Sequence, residues 1–368
     1  MLKDMPSGNK YYYLCLKIKM KSLNNITAIL LSILVFSCNR RPDVTKIAFG
    51  SCGSQDEPQP VLSLAAEHSP GLFIYLGDNI YGDSDNMDTL KAKYARLAGK
   101  QEYKQLDSVT KIIGTWDDHD FGRNDAGKWY PYKKESKNIF LDFFGEPKDS
   151  ERRKHDGIYT TEYLRQGKKL IQVILLDVRT FRNDLILVKD TSEELKRRFF
   201  YTLDYQPHES SDSTLLGQEQ WNWLESELKK PADLRLICSG SQFGIEFNGY
   251  EAWANFPHEQ KKMLNLIKET KAEGVLFLTG DVHYAEISRV NEPGLYPVYD
   301  VTSSGITSTW SFATPNKYRI EGPVMDNHFG LLTVTWEKDP VIRMEVIDKY
   351  NNSRIEYTIK RSEISFAE

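Results

Sequence analysis

Six apolar runs in this chain each stop on small and polar residues, and that repeated ending constrains the fold more than any other feature. VTKIAFGSCGS at 44–54 stops on Ser51, Cys52 and Gly53. PGLFIYLGDNIYGD at 70–83 stops on Gly77 and Asp78, followed by Tyr81 and Asp83. VTKIIGTWDDHDFGRND at 109–125 delivers Asp117, Asp118, His119 and Asp120. KLIQVILLDVRT at 169–180 delivers Asp177 and Arg179, and LRLICSGSQF at 234–243 delivers Ser239, Gly240, Ser241 and Gln242. LTGDVHYAE at 278–286 carries Asp281 and His283. Each run reads as a buried strand. A single Gly-Asp ending is an ordinary turn. Six of them put polar groups at the carboxyl ends of strands, where α/β folds gather their binding sites. One shared pocket is the expectation.

The order of elements supports an α/β arrangement. Strands are predicted at 44–50, 72–77, 109–115 and 234–238, and again at 275–279. Helical patterns fall at 59–68, 88–106, 138–147 and 259–270, and on the amphipathic stretch LLGQEQWNWLESELKK. The segment 157–176 reads as a hairpin turning at 165–168. Beyond 285 the pattern turns to strands at 285–290, 296–302, 329–336, 341–348 and 354–360. Early α/β followed by late antiparallel β suggests two sheets face to face with helices outside. No internal repeat and no linker composition interrupts 44–368, so a single domain is expected there. Two long loops stand out, at 204–217 and 302–330. The second holds Trp310, Phe312 and Tyr318, which argue for a lid or binding loop.

Ahead of the domain, NNITAILLSILVFSC at 24–38 is an apolar run too short to span a bilayer. Lys17, Lys19 and Lys21 precede it. That is the layout of a secretory signal over 1–37, with Met20 as an alternative start. LVFSC resembles a bacterial lipobox. The resemblance implies cleavage before Cys38, acylation of its thiol, a linker over 38–43 and a lipoprotein on the cell envelope. Cys52 and Cys238 remain in the mature chain, either as a disulfide or as independent thiols. Forty-eight basic residues face 52 acidic ones, for a net charge of −4. With no dense basic cluster past the N-terminus, a nucleic-acid surface is not expected. A monomer is expected.

The polar endings share one chemistry. Asp78, Asp118, Asn124 and Asp281 offer oxygen ligands, His283 an imidazole, Cys52 a thiolate and Tyr81 a phenolate. So anionic a set destabilises a fold if left unpaired, and metal ions remove that cost. Two ions sharing one carboxylate generate a hydroxide nucleophile. His119 stands ready to contact a transferring phosphoryl oxygen or to protonate a leaving group.

In this order and spacing, SCGS, LGDNIYGD, TWDDHD, LLDVRT, LGQEQWNWL and TGDVHYAE resemble the PhoD-like alkaline phosphatases and phosphodiesterases of the metallophosphoesterase superfamily, over roughly 44–305. The resemblance implies an α/β fold, a four-layer α/β/β/α sandwich of two mixed sheets. It makes Asp78 the bridging carboxylate and Cys52, Tyr81 and His283 ligands of an iron, Fe³⁺. Asp281 then belongs to a second metal, Ca²⁺ in this family, completed by Asn124 or by Asp118, with Asn124 favoured. Zn²⁺, Mn²⁺ or Mg²⁺ remain alternatives. His119, Arg179 and Asp120 take the catalytic positions. Arg179 either forks onto phosphate oxygens or braces the carboxylates. Asp120 stands where the family usually has glutamate, and the chain is too short to hold the extra N-terminal β domain of larger members. The implied activity is metal-dependent hydrolysis of phosphate mono- or diesters, small or phospholipid-like. The alternatives are a phospholipase D-like or nucleotide phosphodiesterase, and an inactive binding lipoprotein on the same scaffold.

Overall fold

Strand alternation decides how the first sheet is covered. β1 (Asp43–Gly50), β2 (Leu72–Leu76) and β3 (Lys111–Thr115) run parallel. Successive side chains point to opposite faces. Ile47, Phe49, Leu72, Ile74 and Leu76 therefore enter one apolar core, while Ala48, Phe73 and Tyr75 enter another. The second core is closed by helices α1 (Pro60–Glu67), α2 (Met87–Gly99), α3 (Gln101–Asp107), α4 (Asp118–Phe121) and α5 (Lys133–Phe143). A short helix, α6 (Glu151–Lys154), follows.

The second sheet is built around parallel strands β5 (Lys169–Leu175), β8 (Leu234–Ser239), β9 (Val275–Thr279) and β11 (Val298–Ser303). β4 (Thr160–Gln166), β10 (Ala285–Val290) and β12 (Arg319–Val324) add antiparallel, giving the order β12-β10-β11-β9-β8-β5-β4. The first sheet is extended by β13 (His328–Trp336), β14 (Val341–Asp348) and β15 (Ser353–Lys360), in the order β15-β14-β13-β1-β2-β3. A small ribbon pairs β6 (Ile186–Leu187) with β7 (Tyr205–Gln206). One continuous core takes side chains from both large sheets. It also takes Trp221, Leu224 and Leu228 of α7 (Gly217–Leu228), and Met263 and Ile267 of α8 (Pro257–Glu269). This is the expected sandwich of two mixed sheets with helices outside.

The computed structural model describes residues 43–189, 203–247 and 249–367. The signal segment and Cys38 lie outside them. Asp43–Glu368 form one compact unit, and no helix among the described residues is long and apolar enough to cross a membrane.

Several predicted boundaries move. The helical region at 88–106 breaks at Lys100, whose backbone is extended (ψ 142°), just after helix-weakening Gly99. The helix placed at 138–147 begins earlier, at Lys133, because Ser136 and Lys137 are buried despite their polarity. The loop at 302–330 contains β12. Its polar sequence RIEGPV hides the strand, and as an edge it tolerates Pro323.

The two sheets are stitched together where their strands end. Ser51 and Ser304 form an isolated bridge, Ser51 N–H donates to Ser303 O (3.1 Å), and Ile306 N–H donates to Ser51 O (3.0 Å). Glycine permits this approach. A Cβ on Gly280 would sit 2.7 Å from Leu76 O, and one on Gly240 would sit 2.8 Å from Trp116 O.

Candidate metal centre

The strand ends carry their polar side chains on an unusual backbone. Cys52 (φ 59°), Asp78 (φ 49°), Asp281 (φ 76°) and His283 (φ 59°) all lie in the left-handed region. Such a conformation costs a non-glycine residue about 1–3 kcal/mol and clusters at functional sites. At Asp78, Asp281 and His283 it turns the side chain off the strand axis toward one cavity of about 200 Å³, whose lining includes neither Cys52 nor Tyr81. Asp78, Asp118, His119, Asn124, Asp281 and His283 line it, together with Asp125, Asp204, Tyr205, Tyr250, Glu251 and Trp310. The sequence therefore named half of the lining.

Potential ligand atoms converge. Asp78, Asp118 and His119 each offer one within 4.8 Å of the others, as do Asp117, Asp118 and Asp281, and Asp118, Asp125 and Glu251. Cys52 lies at the base of the group. Its thiol donates to Asp78 Oδ2 (3.5 Å) and to Asp281 O (3.7 Å), and Ser304 Oγ is 3.1 Å away. Cys52 and Cys238 are both free thiols, so no disulfide competes for Cys52. Tyr81 stacks obliquely on His119, with ring centroids 4.4 Å apart.

The residues fit cations. Asp78 Oδ1, Asp117 Oδ2 and Tyr81 Oη are buried with no hydrogen-bond partner, a costly state for polar atoms. Burial, then the neighbouring Asp118 and Asp117, push Asp78 well above the usual carboxylate range. Asp281 is raised by burial, then by Asp117 and Glu251. Burial and Asp78 raise the Cys52 thiol, and burial and Cys52 raise the Tyr81 phenol. A positive ion reverses each of these penalties.

The two histidines are oriented from behind. His283 Nδ1–H donates to Ser308 O (3.1 Å), which leaves Nε2 as the free lone pair, as in metal-ligating imidazoles. His119 Nδ1–H donates to Asp83 Oδ1 (2.7 Å). Burial works against its charge, but that hydrogen bond and Asp118 prevail and hold His119 up at about 9.

Arg179 and Asp120 stand outside the cavity lining. Arg179 is fully buried. Its Nη1 donates to both Glu251 oxygens at 2.7 Å, its Nε bonds Asp117, and Nη2 is 3.7 Å from Asp118 Oδ1. Of the two roles expected for Arg179, this geometry is the bracing one. Asp120 accepts from the N–H groups of Asp117 (2.6 Å) and Asn79 (3.2 Å), from the Asn79 amide and from Tyr94 (3.4 Å). Its oxygens are spent on holding α4 and the Asp78 loop, so it acts through its neighbours rather than on a substrate. Asn124 is exposed and donates to Asp125 Oδ2 (2.7 Å).

Asp117 adjoined the predicted cluster but was not assigned to the site. Glu251, Asp204, Tyr205 and Tyr250 were not singled out. Asp204 and Tyr205 open the long loop at 204–217, whose sequence names no individual residue, and Tyr250 and Glu251 come from a segment with no hydrophobic period.

The sequence model of the PhoD-like phosphatase family matches residues 47–319. Alkaline phosphatase D of Bacillus subtilis (strain 168) is 22% identical over 307 residues, covering 72% of this chain and 49% of that protein. The chain thus spans about half the length of that curated relative. Among solved structures, PhoD superposes with a TM-score of 0.68 at 17% identity, covering 89% of this chain and 71% of the other. The purple acid phosphatase PPD1 from yellow lupin (Lupinus luteus) seeds does so with a TM-score of 0.56 at 11% identity, covering 87% and 54%. These superpositions establish the shared fold.

Proposed function

The chain belongs to the PhoD-like phosphatase family, and we propose that it hydrolyses phosphate esters at the carboxylate cavity with the help of a metal pair. The observation that carries this reading is the meeting of Asp78, Asp118, Asp281, His119 and His283 on one cavity, with Asp78 Oδ1 and Tyr81 Oη left without hydrogen-bond partners nearby. Cys52, Tyr81, His283 and Asp78 would hold a ferric ion, since thiolate and phenolate suit it better than calcium. Asp78 and Asp281, completed by Asp118 or Asn124, would hold calcium. The recurrence of Asp118 in all three convergent groups and the exposure of Asn124 favour Asp118.

When bound, such a pair supplies Lewis acidity to a phosphoryl group and lowers the pKa of water. The chain's own residues do the rest. His119 is fixed through Nδ1, so a proton on Nε2 faces the cavity and can be given to the departing ester oxygen. Arg179 clamps Asp117 and Glu251 at the rear of the carboxylates. Asp120 sets the register between Asn79 and α4. Small phosphate esters are the substrates this reading favours, with phospholipid-like esters as the alternative.

Turnover of p-nitrophenyl phosphate and bis-p-nitrophenyl phosphate by metal-replete protein, measured side by side over several pH values, tests the reading. Release of nitrophenol from at least one is expected. Inertness toward both, and toward phospholipid and nucleotide panels, would leave the inactive binding lipoprotein as the better account. The same proposal places the protein on the cell envelope through Cys38. The apolar run after a basic flank, ending at that cysteine, supports this. Labelled fatty acid should enter the wild type and not Cys38→Ala; equal labelling of the two rules the anchor out.

A further inference from the structure

Where the cavity leaves the carboxylates, its wall becomes aromatic. Trp310 N–H donates to His283 O (2.9 Å), and its ring centroid lies 5.1 Å from the His283 imidazole. The same ring meets Tyr250 at 5.0 Å and stacks on Phe312 at 5.2 Å, with only 12° between planes. The run starts at a candidate metal ligand and ends on Phe312, which is 39% exposed. The platform is also braced in advance. Ser304 Oγ accepts from His283 N–H (2.8 Å) at one end of the segment. At the other, Asn316 Nδ2 donates to Gly244 O (2.9 Å) and to the buried Glu286 (2.6 Å), and Arg319 donates to Thr314 O (2.6 Å) and pairs with Glu286. A preformed wall does not have to be ordered on binding, which favours affinity.

The remainder of the lining is strongly acidic. Asp78, Asp118, Asp125, Asp204, Glu251 and Asp281 contribute carboxylates, and among the described residues no lysine or arginine lines the cavity. A metal pair offsets the carboxylates that ligate it. The rest disfavour any further anionic group on a substrate.

We propose that Trp310, flanked by Tyr250 and Phe312, is the platform for the organic group of the phosphate ester. The group it accepts carries a flat aromatic ring and no additional negative charge: a nucleoside meets both conditions through its base, a plain sugar lacks the ring and a polyphosphate adds charge. This rests on the phosphoester reading. Hydrolysis then adds the oxygen of water to phosphorus and breaks the ester P–O bond. The nucleoside departs as an alcohol carrying the proton.

Adenosine 5′-monophosphate and ribose 5-phosphate isolate the contact. Both release a primary alcohol from a phosphate monoester, and they differ at the sugar carbon that bears the base. With the full metal-replete protein, kcat/KM is expected to be about 10-fold or more higher for the nucleotide, the usual worth of stacking one base on one ring. Trp310→Ala should collapse that ratio, whatever happens to the two rates separately, and Trp310→Phe should keep part of it. Phe312→Ala, at the exposed end of the run, should lower it without a loss of thermal stability. Equal kcat/KM for the two substrates in the wild type, or a ratio unmoved by Trp310→Ala, overturns the proposal. If nitrophenyl esters are hydrolysed but neither sugar phosphate is, the platform alone is rejected. If no ester is hydrolysed, the phosphoester reading falls and the platform with it.

Discussion

Asp78→Asn is expected to lower turnover by at least about 10³-fold while leaving the fold intact. Misplacing reacting groups by 1 Å costs roughly 10²-fold, and losing preorganised charge stabilisation costs a similar factor. The fold should survive for two reasons. Asparagine tolerates the left-handed backbone at this position (φ 49°) at least as well as aspartate. The substitution also removes a buried carboxylate that Asp118 and Asp117 already repel. Metal-free Asp78→Asn protein should therefore melt no lower than metal-free wild type, while its metal content after purification falls. Turnover and metal content both equal to wild type would remove Asp78 from the site.

Arg179→Ala should be the most destabilising single change at the centre. Arg179 is fully buried between Asp117 and Glu251, and Arg182 Nε reaches the same Glu251 at 3.1 Å. Deleting one partner of a buried ion network leaves uncompensated charge and costs about 3–5 kcal/mol. For a chain of this size that lowers the melting temperature by about 4–7 °C. Lysine should not restore it, because one ammonium cannot make the forked contacts to both carboxylates. The two roles expected for this arginine separate cleanly here. A bracing arginine moves the melting temperature together with kcat. A variant that melts like wild type but turns over far more slowly would show that Arg179 contacts the phosphoryl group instead.

The ends of the strands were legible because burial writes itself into continuous apolar runs, and a polar residue after such a run has few places to go. Asp78, Asp118, Asp281 and His283 reach the cavity by that rule. What a strand ending does not tell is which way the side chain faces after the turn. Asp120 and Arg179 follow the same kind of run as Asp118, yet both point into the protein, where Asn79, Asp117 and Glu251 take their polar atoms. Glu251 arrives from a segment that lacks period and strand, next to the short helical turn Trp253–Asn255, and is placed only by tertiary packing. β12 stayed hidden for a related reason. An edge strand with mostly half-exposed or exposed residues carries little hydrophobic pattern. In the aromatic loop, Trp310, Phe312 and Tyr318 signalled order, but the stack of Trp310 on Phe312 is a matter of geometry.

The most direct test of metal-dependent hydrolysis is one preparation of the wild-type protein followed through chelation and metal return, with metal content and bis-p-nitrophenyl phosphate turnover measured at each stage. The proposed iron and calcium pair predicts that turnover falls by at least about 10³-fold as the ions leave, and that it recovers in proportion as the two metals are restored. Undiminished turnover by protein shown to hold no metal would contradict it.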